Sequence, residues 1–252
     1  MVMSKNLFSL ILSDVKAAKN RDPAARNFFE IFFTYSGFHA ILIHRFCNLF
    51  WSLKLKFLAR FLGNVSRILT SIEIHPAAKI DCGFFIDHGA GLVIGETTVI
   101  GKNVTIYQQA TLGGITPSLD SESQRNIKRH PTIDDNVIVG SGAQILGPVI
   151  IGKNSRIGAN AVVLKDVPAN ITYVGVPARK IETKNISDTF NAYGICDGKI
   201  DDPNKKSIHA LFKEIHILSQ KIEELKQKLY NSTDFQDNIK TENNKAKQGR
   251  QK

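Results

Sequence analysis

An aliphatic residue recurs every six positions in the central part of the chain, and this period restricts the fold more than any other feature. Three phased runs carry it: Ile74, Ile80, Ile86 and Leu92; Ile94, Ile100, Ile106 and Leu112; and Ile133, Val139, Ile145, Ile151, Ile157 and Val163. A period of six fits neither an amphipathic helix nor an alternating strand. It fits triangular coils of short strands, whose inward aliphatic side chains form a continuous buried column when the coils stack. We therefore predict a parallel β-helix.

The residues between the aliphatic positions suit the corners of such coils. Glycine often follows the aliphatic residue, and asparagine, which tolerates a positive φ, occurs four times near a corner: Asn103, Asn136, Asn154 and Asn160. The pattern stops over residues 113–132, which are polar and rich in turn formers. We predict that this segment protrudes from the β-helix as a loop and forms a wall of a binding site.

Residues 1–72 form a separate region, with ten of the fifteen phenylalanines and the only tryptophan. Their apolar residues recur at helical spacing, which predicts a small α-helical domain with breaks at Gly37 and Gly63. An aromatic stripe runs through Phe28, Phe29, Phe32 and Phe33, and again through Leu49, Phe50, Leu53, Phe57 and Phe61. We expect this stripe to pack against the following domain, in preference to a membrane surface.

The part of the chain after the β-helix, which we assign to residues 73–180, changes character twice. Residues 181–207 are predicted to be an extended connector, and residues 230–252 a disordered tail. Between them, residues 208–229 carry a heptad seam of Ile208, Leu211, Ile215, Leu218, Ile222, Leu225 and Leu229. A parallel dimer of this helix would bring Lys221 against Lys226, so docking on the β-helix and assembly in another geometry both stay open.

Charge and cysteine content exclude several classes of protein. The formal net charge is +10, but no basic and aromatic motif for nucleic acid accompanies it, and attraction of a phosphate-bearing cosubstrate explains it as well. The cysteines, Cys47, Cys82 and Cys196, lie far apart and suggest neither a disulfide framework nor a zinc site. The histidine spacing also lacks the three converging imidazoles of a zinc enzyme, so we expect no metal.

The location of the protein is predicted from two absences in the sequence. The first residues lack the pattern of a secretory signal. The longest uncharged apolar stretch, residues 31–44, is shorter than the ~20 residues that a membrane span needs. We predict a cytoplasmic protein.

One histidine of the repeats stands out by its surroundings. Asp87 precedes His88, and Gly89 and Gly91 follow it, which gives an open backbone inside an otherwise aliphatic repeat. A histidine near its unperturbed pKa can accept the proton of a hydroxyl at neutral pH, a contribution of about 10²–10⁴ in rate. A carboxylate, Glu73, lies fifteen residues earlier, close to the adjacent coil.

Eight segments of the chain together resemble serine O-acetyltransferases of cysteine biosynthesis. They are Arg21-Asp-Pro-Ala24, Gly37-Phe-His-Ala40, Glu73-Ile-His-Pro-Ala-Ala-Lys-Ile80, Phe85-Ile-Asp-His-Gly89, Val93-Ile-Gly-Glu-Thr97, Thr111-Leu-Gly-Gly114, Lys128-Arg-His-Pro-Thr132 and Val174-Gly-Val-Pro-Ala178. The resemblance spans roughly residues 14–195. It implies a left-handed parallel β-helix, preceded by the α-helical domain, in an acyltransferase that moves acetyl from acetyl-CoA to L-serine.

The resemblance also assigns roles to individual residues. His88 would be the general base for direct attack on the thioester, with Glu73 orienting its imidazole. Asp22 and Asp87 would bind the substrate ammonium, whereas Arg129 and His130 would hold its carboxylate. Gly113 and Gly114 would lie at the thioester, where their N–H groups could stabilise an oxyanion, and the coenzyme A groove would be lined by Ser141, Ala143 and Arg156.

Partners follow from the same resemblance. Acetyl-CoA would be a cosubstrate, with no permanently bound cofactor, and cysteine would act as a feedback inhibitor. A homotrimer is the minimum assembly implied, with pairing of two trimers left open. We expect no complex with O-acetylserine sulfhydrylase, because the chain ends in Gln251-Lys252 where family members that form it end in isoleucine.

The sequence departs from the family pattern at two further places. Glu73 stands where the long-form enzymes have aspartate, and the protruding loop is longer and differently composed. The alternatives are therefore a hexapeptide acetyltransferase that acts on another amino acid or on a sugar, and a scaffold protein without activity.

Overall fold

The structure, a computed structural model, describes residues 6–115, 122–125, 127–181 and 203–230. The chain divides into two compact units, one up to residue 197 and the other from residue 198 onward. The predicted helical domain and the β-helix belong to the first unit, and the heptad helix belongs to the second. Among the described helices, none is both long enough and apolar enough to cross a bilayer.

Four helices open the first unit: α1 Leu7–Arg21, α2 Phe28–Thr34, α3 Ser36–Ser52 and α4 Lys56–Thr70. Asparagine side chains cap two of them, since Asn6 accepts from the N–H of Phe8 and Asn27 from that of Glu30. The chain breaks between α3 and α4 at Lys54, whose φ is +64°. The predicted break at Gly63 was wrong, because Gly63 lies inside α4.

The β-helix consists of five coils that stack into three parallel sheets. Its strands are β1 Glu73–Ile74, β2 Lys79–Ile80, β3 Phe85–Asp87, β4 Val93–Ile94, β5 Val99–Ile100, β6 Thr105–Tyr107, β7 Thr111–Gly113, β8 Thr132–Ile133, β9 Ile138–Val139, β10 Gln144–Leu146, β11 Ile150–Ile151, β12 Arg156–Ile157, β13 Val162–Val163 and β14 Thr172–Val174. Sheet 1 has the order β1-β4-β7-β10-β13, sheet 2 the order β11-β8-β5-β2, and sheet 3 runs from β3 through β6, β9 and β12 to β14. A last strand, β15 Arg179–Ile181, pairs antiparallel with β14.

The three sheets form the faces of a triangular prism, and the chain turns from one sheet to the next at its edges. Two of these edges contain predicted site residues. The His88 edge connects sheet 3 to sheet 1 and contains residues 88–92, 108–110 and 140–143. The loop edge connects sheet 1 to sheet 2 and contains residues 75–78, 95–98 and 114–131. Sheet 1 therefore separates the two edges in every coil.

The aliphatic column predicted from the six-residue period is confirmed. All fourteen of its residues are 9% exposed or less, from Ile74 to Val163. The four predicted corner asparagines have φ between +55° and +60°, a conformation that asparagine adopts at lower cost than most residues. The parallel β-helix therefore follows from two features of the sequence. Each strand contributes one inward aliphatic residue, and many corners have a residue that tolerates a positive φ.

Helices α1 and α3 attach the helical domain to the first coils. The Arg45 guanidinium pairs with Asp14 at 3.0 Å and donates to the carbonyl oxygens of Ile80 and Asp81. Asp14 also accepts from the N–H of Phe84 at 3.1 Å. Burial raises the pKa of Asp14 to about 6 even though Arg45 opposes the shift, since a buried carboxylate loses its hydration.

The expected packing of the phenylalanine stripe on the β-helix was wrong. Phe29 is 77% exposed and Phe33 68%. Helix α2 instead turns Ile31 inward, into a cluster with Val15 and Phe38. Because α2 has only seven residues, one inward position is enough to hold it, and the aromatic side chains stay outside.

The remaining boundaries differ slightly from the predictions. Gly113 and Thr132 belong to strands, so the loop comprises residues 114–131, with a short 3₁₀ helix at Glu122–Gln124. Helix α5, Pro203–Tyr230, begins inside the predicted connector. The predicted tail, apart from its first residue, and residues 182–202 lie outside the described part of the chain.

Candidate active site

The helical domain brings Asp22 to the His88 edge. Arg21, the last residue of α1, donates from Nη1 to the carbonyl oxygen of Val104 at 3.2 Å and to Oγ1 of Thr105 at 3.1 Å. These bonds fasten the end of α1 to the second coil, and Asp22 follows directly as the C-terminal cap of the helix. The Arg-Asp pair of the sequence thus combines an anchor with the acidic group that it positions.

Two carboxylates and a tyrosine gather at this edge. Oδ2 of Asp22 accepts from the Tyr35 hydroxyl at 2.6 Å, and Oδ1 accepts from the N–H of Ala24 at 2.8 Å. Burial and the Asp22 carboxylate hold the pKa of Tyr35 above its usual range. Burial likewise raises the pKa of Asp87, and the charge of Asp22 adds to the shift. A carboxylate whose pKa is raised by burial and by a neighbouring carboxylate favours a cationic ligand beside it.

His88 presents its imidazole to solvent beside these carboxylates. Its side chain is 73% exposed, and Nε2 lies 3.8 Å from Oδ1 of Asp87. The backbone φ is +59°, which is uncommon for a residue other than glycine and is concentrated at functional sites. The Ser36 hydroxyl donates to the His88 carbonyl oxygen at 3.2 Å. The ring is therefore accessible to a substrate while its backbone is held by α3.

Glu73 lies on the neighbouring coil segment, at the start of β1, and its N–H donates to the carbonyl oxygen of Leu92. Its half-exposed carboxylate lies 3.8 Å from Nη1 of Arg67. These contacts put Glu73 close to the His88 edge. The structure forms no hydrogen bond or ion pair between Glu73 and His88, so the predicted orienting role stays a prediction.

Arg129 and His130 lie on the loop edge, where Glu96 and Thr97 of the preceding coil hold them. Nη2 of Arg129 forms an ion pair of 2.5 Å with Oε2 of Glu96, and Nη1 donates to the carbonyl oxygen of Gln124 at 3.1 Å. The pKa of Glu96 is lowered because the hydrogen bond and charge of Arg129 outweigh its burial. The guanidinium is thus fixed in place before any ligand arrives.

His130 is buried, and its hydrogen bonds define its protonation. Nδ1 accepts from the backbone N–H of Thr97 at 3.2 Å, so that nitrogen carries no proton and the neutral ring holds its proton on Nε2. Burial and the charge of Arg129 lower the pKa of His130 in the same direction. A Cβ on Gly95 would lie 2.0 Å from the ring, so the glycine provides the space for it. His130 is therefore suited to donate a hydrogen bond from Nε2.

The other predicted residues also divide between the two edges. Gly113 ends β7 in sheet 1, and Gly114 follows at the loop edge, where it lines a pocket of about 250 Å³ together with Arg129. Ser141 and Ala143 lie on the His88 edge two coils further on, and Arg156 begins β12 in sheet 3. Ala143 is fully buried; its N–H donates to the carbonyl oxygen of Gly140 in the same coil, and its carbonyl oxygen accepts from the N–H of Thr111 in the preceding coil.

One chain therefore brings together Asp22, Asp87 and His88, but it does not bring Arg129 and His130 to them. Sequence reasoning assigned no role to Tyr35, Ser36, Glu96 or Thr97. Glu96 and Thr97 follow Gly95 within the Val93-Ile-Gly-Glu-Thr97 motif, and a carboxylate at a corner of an aliphatic repeat was a signal that could have found them. Tyr35 carried no such signal, because its contact with Asp22 depends on the packing of α1 against α3.

The fold and the two edges define a transferase of the hexapeptide-repeat class. A sequence profile described as bacterial transferase hexapeptide (six repeats) matches residues 130–165, and one described as serine acetyltransferase, N-terminal, matches residues 1–42. The profiles thus cover part of the β-helix and the first helices.

Curated relatives extend the match over most of the chain. A serine acetyltransferase of Bacillus pumilus is 44% identical over 222 residues, which cover 86% of this chain and 99% of the relative. One of Helicobacter pylori (strain J99) is 49% identical over 160 residues, 64% of this chain and 90% of the relative. The chain belongs to the serine acetyltransferase family, and the resemblance inferred from its motifs is confirmed.

Solved structures agree with this assignment. A serine acetyltransferase in complex with cysteine is similar with a TM-score of 0.66 and 39% identity, and 70% of each chain is covered. The serine acetyltransferase of Neisseria gonorrhoeae in complex with serine has a TM-score of 0.65 and 39% identity, with 70% of this chain and 69% of that chain covered. The fold class predicted from the sequence is therefore confirmed as well.

Proposed function

We propose that the protein transfers the acetyl group of acetyl-CoA to the hydroxyl of L-serine and releases O-acetylserine and coenzyme A, a step of cysteine biosynthesis in the cytoplasm. The observation that carries the proposal is the gathering of the Asp22 and Asp87 carboxylates beside the exposed imidazole of His88. A sugar acceptor without a positive charge would not need two carboxylates, whereas an amino acid brings an ammonium group.

In the proposed reaction His88 acts as a general base. It accepts the proton of the serine hydroxyl while the serine oxygen attacks the thioester carbonyl carbon. The new C–O bond forms, the C–S bond breaks, and the departing thiolate takes the proton back from His88. No acyl-enzyme is formed, and Glu73 would orient the imidazole of His88.

The substrate ammonium would lie between Asp22 and Asp87. A bound cation would offset both the burial and the Asp22 charge, which together raise the pKa of Asp87. The hydrogen bond from the Tyr35 hydroxyl fixes the direction of the Asp22 carboxylate. Tyr35 is therefore a positioning residue for this half of the site.

The substrate carboxylate would be bound by the Nε2–H of His130 and by the guanidinium of Arg129. Since these groups lie on the loop edge and His88 lies on the other side of sheet 1, the acceptor site would be completed by a second copy of the chain. A cyclic homotrimer supplies this arrangement, because each copy offers one edge to each neighbour. Pairing of two trimers is compatible with it.

Acetyl-CoA would bind as a cosubstrate along the groove between neighbouring copies. The N–H groups of Gly113 and Gly114 are candidates to stabilise the oxyanion. Ser141 and Arg156 would line the groove with their side chains. The side chain of Ala143 is buried, so at that position the residues around Ala143 would line the groove. The net charge of +10 favours the approach of a cosubstrate with several phosphates.

Cysteine would inhibit by occupying the serine site, since it presents the same ammonium and carboxylate. The solved relative in complex with cysteine supports this proposal. Inhibition should therefore be competitive with serine.

The proposed function is tested by the release of free coenzyme A thiol from acetyl-CoA in the presence of L-serine, L-homoserine or an amino sugar. We expect turnover with L-serine alone, and a new ester in the product by mass spectrometry. Turnover with only one of the other acceptors would reassign the substrate, and the absence of turnover with all three would refute the proposal. Suppression by cysteine requires a readout of O-acetylserine, because cysteine itself carries a thiol.

A further inference from the structure

Helix α5 displays an apolar stripe along most of its length. The helix has 28 residues, and Leu211, Ile215, Leu218, Ile222 and Leu225 are each more than half exposed. They alternate at spacings of four and three, which places them at the a and d positions of a heptad repeat. A long helix in water is stabilised mainly when such an apolar stripe packs against another surface. We therefore expect this face of α5 to pack against a partner.

The charges beside the stripe disfavour a parallel pairing of identical helices. In a parallel assembly, each g position faces the e position five residues further along the partner. That register opposes Lys221 to Lys226 of the other copy and sets Glu214 against Ser219, so it contains repulsion without a compensating ion pair. Among parallel coiled coils, isoleucine at a and leucine at d also favour two strands over three. The core residues therefore disfavour a three-stranded coiled coil of the α5 helices of one trimer.

An antiparallel pairing of two copies fits the same residues better. Reversal of one helix aligns Leu211 with Leu229, Ile215 with Leu225, and Leu218 with Ile222 of the other copy, so that each of these core layers is aliphatic. The pairing is isologous, as a twofold axis requires.

The flanking charges support this register as well. With one helix reversed, the g positions face each other, and Glu214 of each copy meets Lys228 of the other. Two attractive pairs thus oppose a single Lys221–Lys221 contact at the axis. The e positions bring Phe212 against Lys226 and Ser219 against itself, without like charges.

We propose that α5 is a self-association helix that pairs antiparallel with α5 of a second copy of the chain, in the register that joins Leu218 to Ile222. The proposal does not rest on the acetyl-transfer function. Where the β-helices form closed rings, such pairs would connect one ring to another.

The first test is the molar mass of the full chain by size-exclusion chromatography with light scattering. Leu218→Glu puts a charge into the two central layers and should halve the mass at micromolar concentration. Gln220→Glu, at an outward f position, is the matched control and should leave the mass unchanged. An unchanged mass for Leu218→Glu would overturn the proposal. Thermal unfolding of the first unit should be the same in both variants, which separates loss of pairing from loss of fold.

The second test concerns direction. Glu214→Lys and Lys228→Glu should each weaken the pairing by about tenfold in Kd, because each turns two attractive pairs into two repulsive ones. The double exchange should restore the wild-type Kd. Lys221→Glu distinguishes the alternatives, since it would create an ion pair with Lys226 only in a parallel assembly. Tighter association of this variant, or no effect of the first two, would refute the antiparallel register.

Discussion

The backbone N–H of Thr97 donates a hydrogen bond to Nδ1 of His130 across 3.2 Å. The Thr97 hydroxyl oxygen lies 2.9 Å from the same nitrogen and also accepts from the N–H groups of Arg129 and His130 at 3.0 and 3.1 Å. One threonine at the corner of the second coil therefore determines both the tautomer of His130 and the path of the backbone at the end of the loop.

The Thr97 hydroxyl can be tested by Thr97→Val, which keeps the shape of the side chain. The two part-buried N–H groups of Arg129 and His130 would lose their acceptor, at a cost of up to about 1–3 kcal/mol each, and the backbone that carries His130 would shift. We expect a raised KM for serine with a nearly unchanged KM for acetyl-CoA. Thr97→Ser should restore wild-type values, and equal rises in both KM values would contradict the assignment.

The proposed ammonium site predicts that three variants at the His88 edge raise the KM for serine by different amounts. Asp22→Asn and Asp87→Asn should each raise the KM for serine by about 10- to 100-fold, the value of a charge-assisted hydrogen bond. Tyr35→Phe should have a smaller effect, because it removes only the group that orients Asp22. Steady-state kinetics at varied serine decides between these outcomes, and a Tyr35→Phe effect as large as that of Asp22→Asn would show that Tyr35 contacts substrate itself.

The division of the site between two edges predicts complementation. His88→Ala and Arg129→Ala should each be almost inactive as pure proteins. When the two chains are co-expressed, random mixing in a cyclic trimer should give roughly a quarter of the sites both functional residues. Recovered activity in the mixture is the expected result. Absence of recovery in mixed trimers isolated by two affinity tags would mean that each site is built from a single chain.

Two glycines in neighbouring helices should respond oppositely to alanine. A Cβ on Gly37 would lie 2.2 Å from the carbonyl oxygen of Ile86, whereas a Cβ on Gly63 would find its nearest atom, on Pro76, at 3.6 Å. Gly37→Ala should therefore lower the free energy of unfolding by about 1–3 kcal/mol. Gly63→Ala should raise it by up to about 1 kcal/mol, because alanine is the better helix former. Urea unfolding of the two variants measures both changes.

The stability should also depend on pH through buried histidines. Burial lowers the pKa of His44 to about 3 and that of His75 to about 4, so the unfolded chain binds more protons than the folded chain below pH ~6.5. Their contribution is present above that pH and is lost as the pH falls. Asp14 acts in the opposite direction, since its pKa is raised to about 6 and its contribution is lost as the pH rises through 6.

A variant isolates the largest of these effects. His44→Gln should flatten the dependence of the unfolding free energy on pH by about 1.4 kcal/mol per unit between pH 6 and 4. His75, which is only half buried, contributes less because solvent screens it. Urea titrations at pH 6, 5 and 4 give both slopes. Equal slopes for wild type and variant would show that His44 titrates normally in the folded chain.

The sequence predicted the part of the fold that depends on local repetition. A six-residue period could be recognised because each strand contributes one inward side chain, and the corners could be recognised because asparagine tolerates φ near +60°. The predictions for the phenylalanine stripe and for Gly63 were wrong, because helical periodicity indicates an apolar face but not what packs against that face, nor whether a glycine ends the helix. Only the packed structure shows that α2 is held by Ile31, and not by Phe29 or Phe33.

The site was predictable where its residues stand next to each other in the sequence, as Asp87 does to His88 and Arg129 to His130. The contact of Tyr35 with Asp22 and that of Glu96 with Arg129 could not be read from spacing. Both connect segments that meet only through the docking of α1 and the stacking of coils. Motifs therefore identify the groups that touch a ligand more readily than those that position them.

Sheet 1 keeps the His88 edge and the loop edge of one chain apart, and this separation determines how many working sites an assembly contains. If catalysis needs both edges, an open pair of chains possesses one working site, while a closed ring possesses as many as it has members. Specific activity would then fall on dilution at the concentration where rings open, before any chain unfolds. Ring closure would itself be a condition of activity.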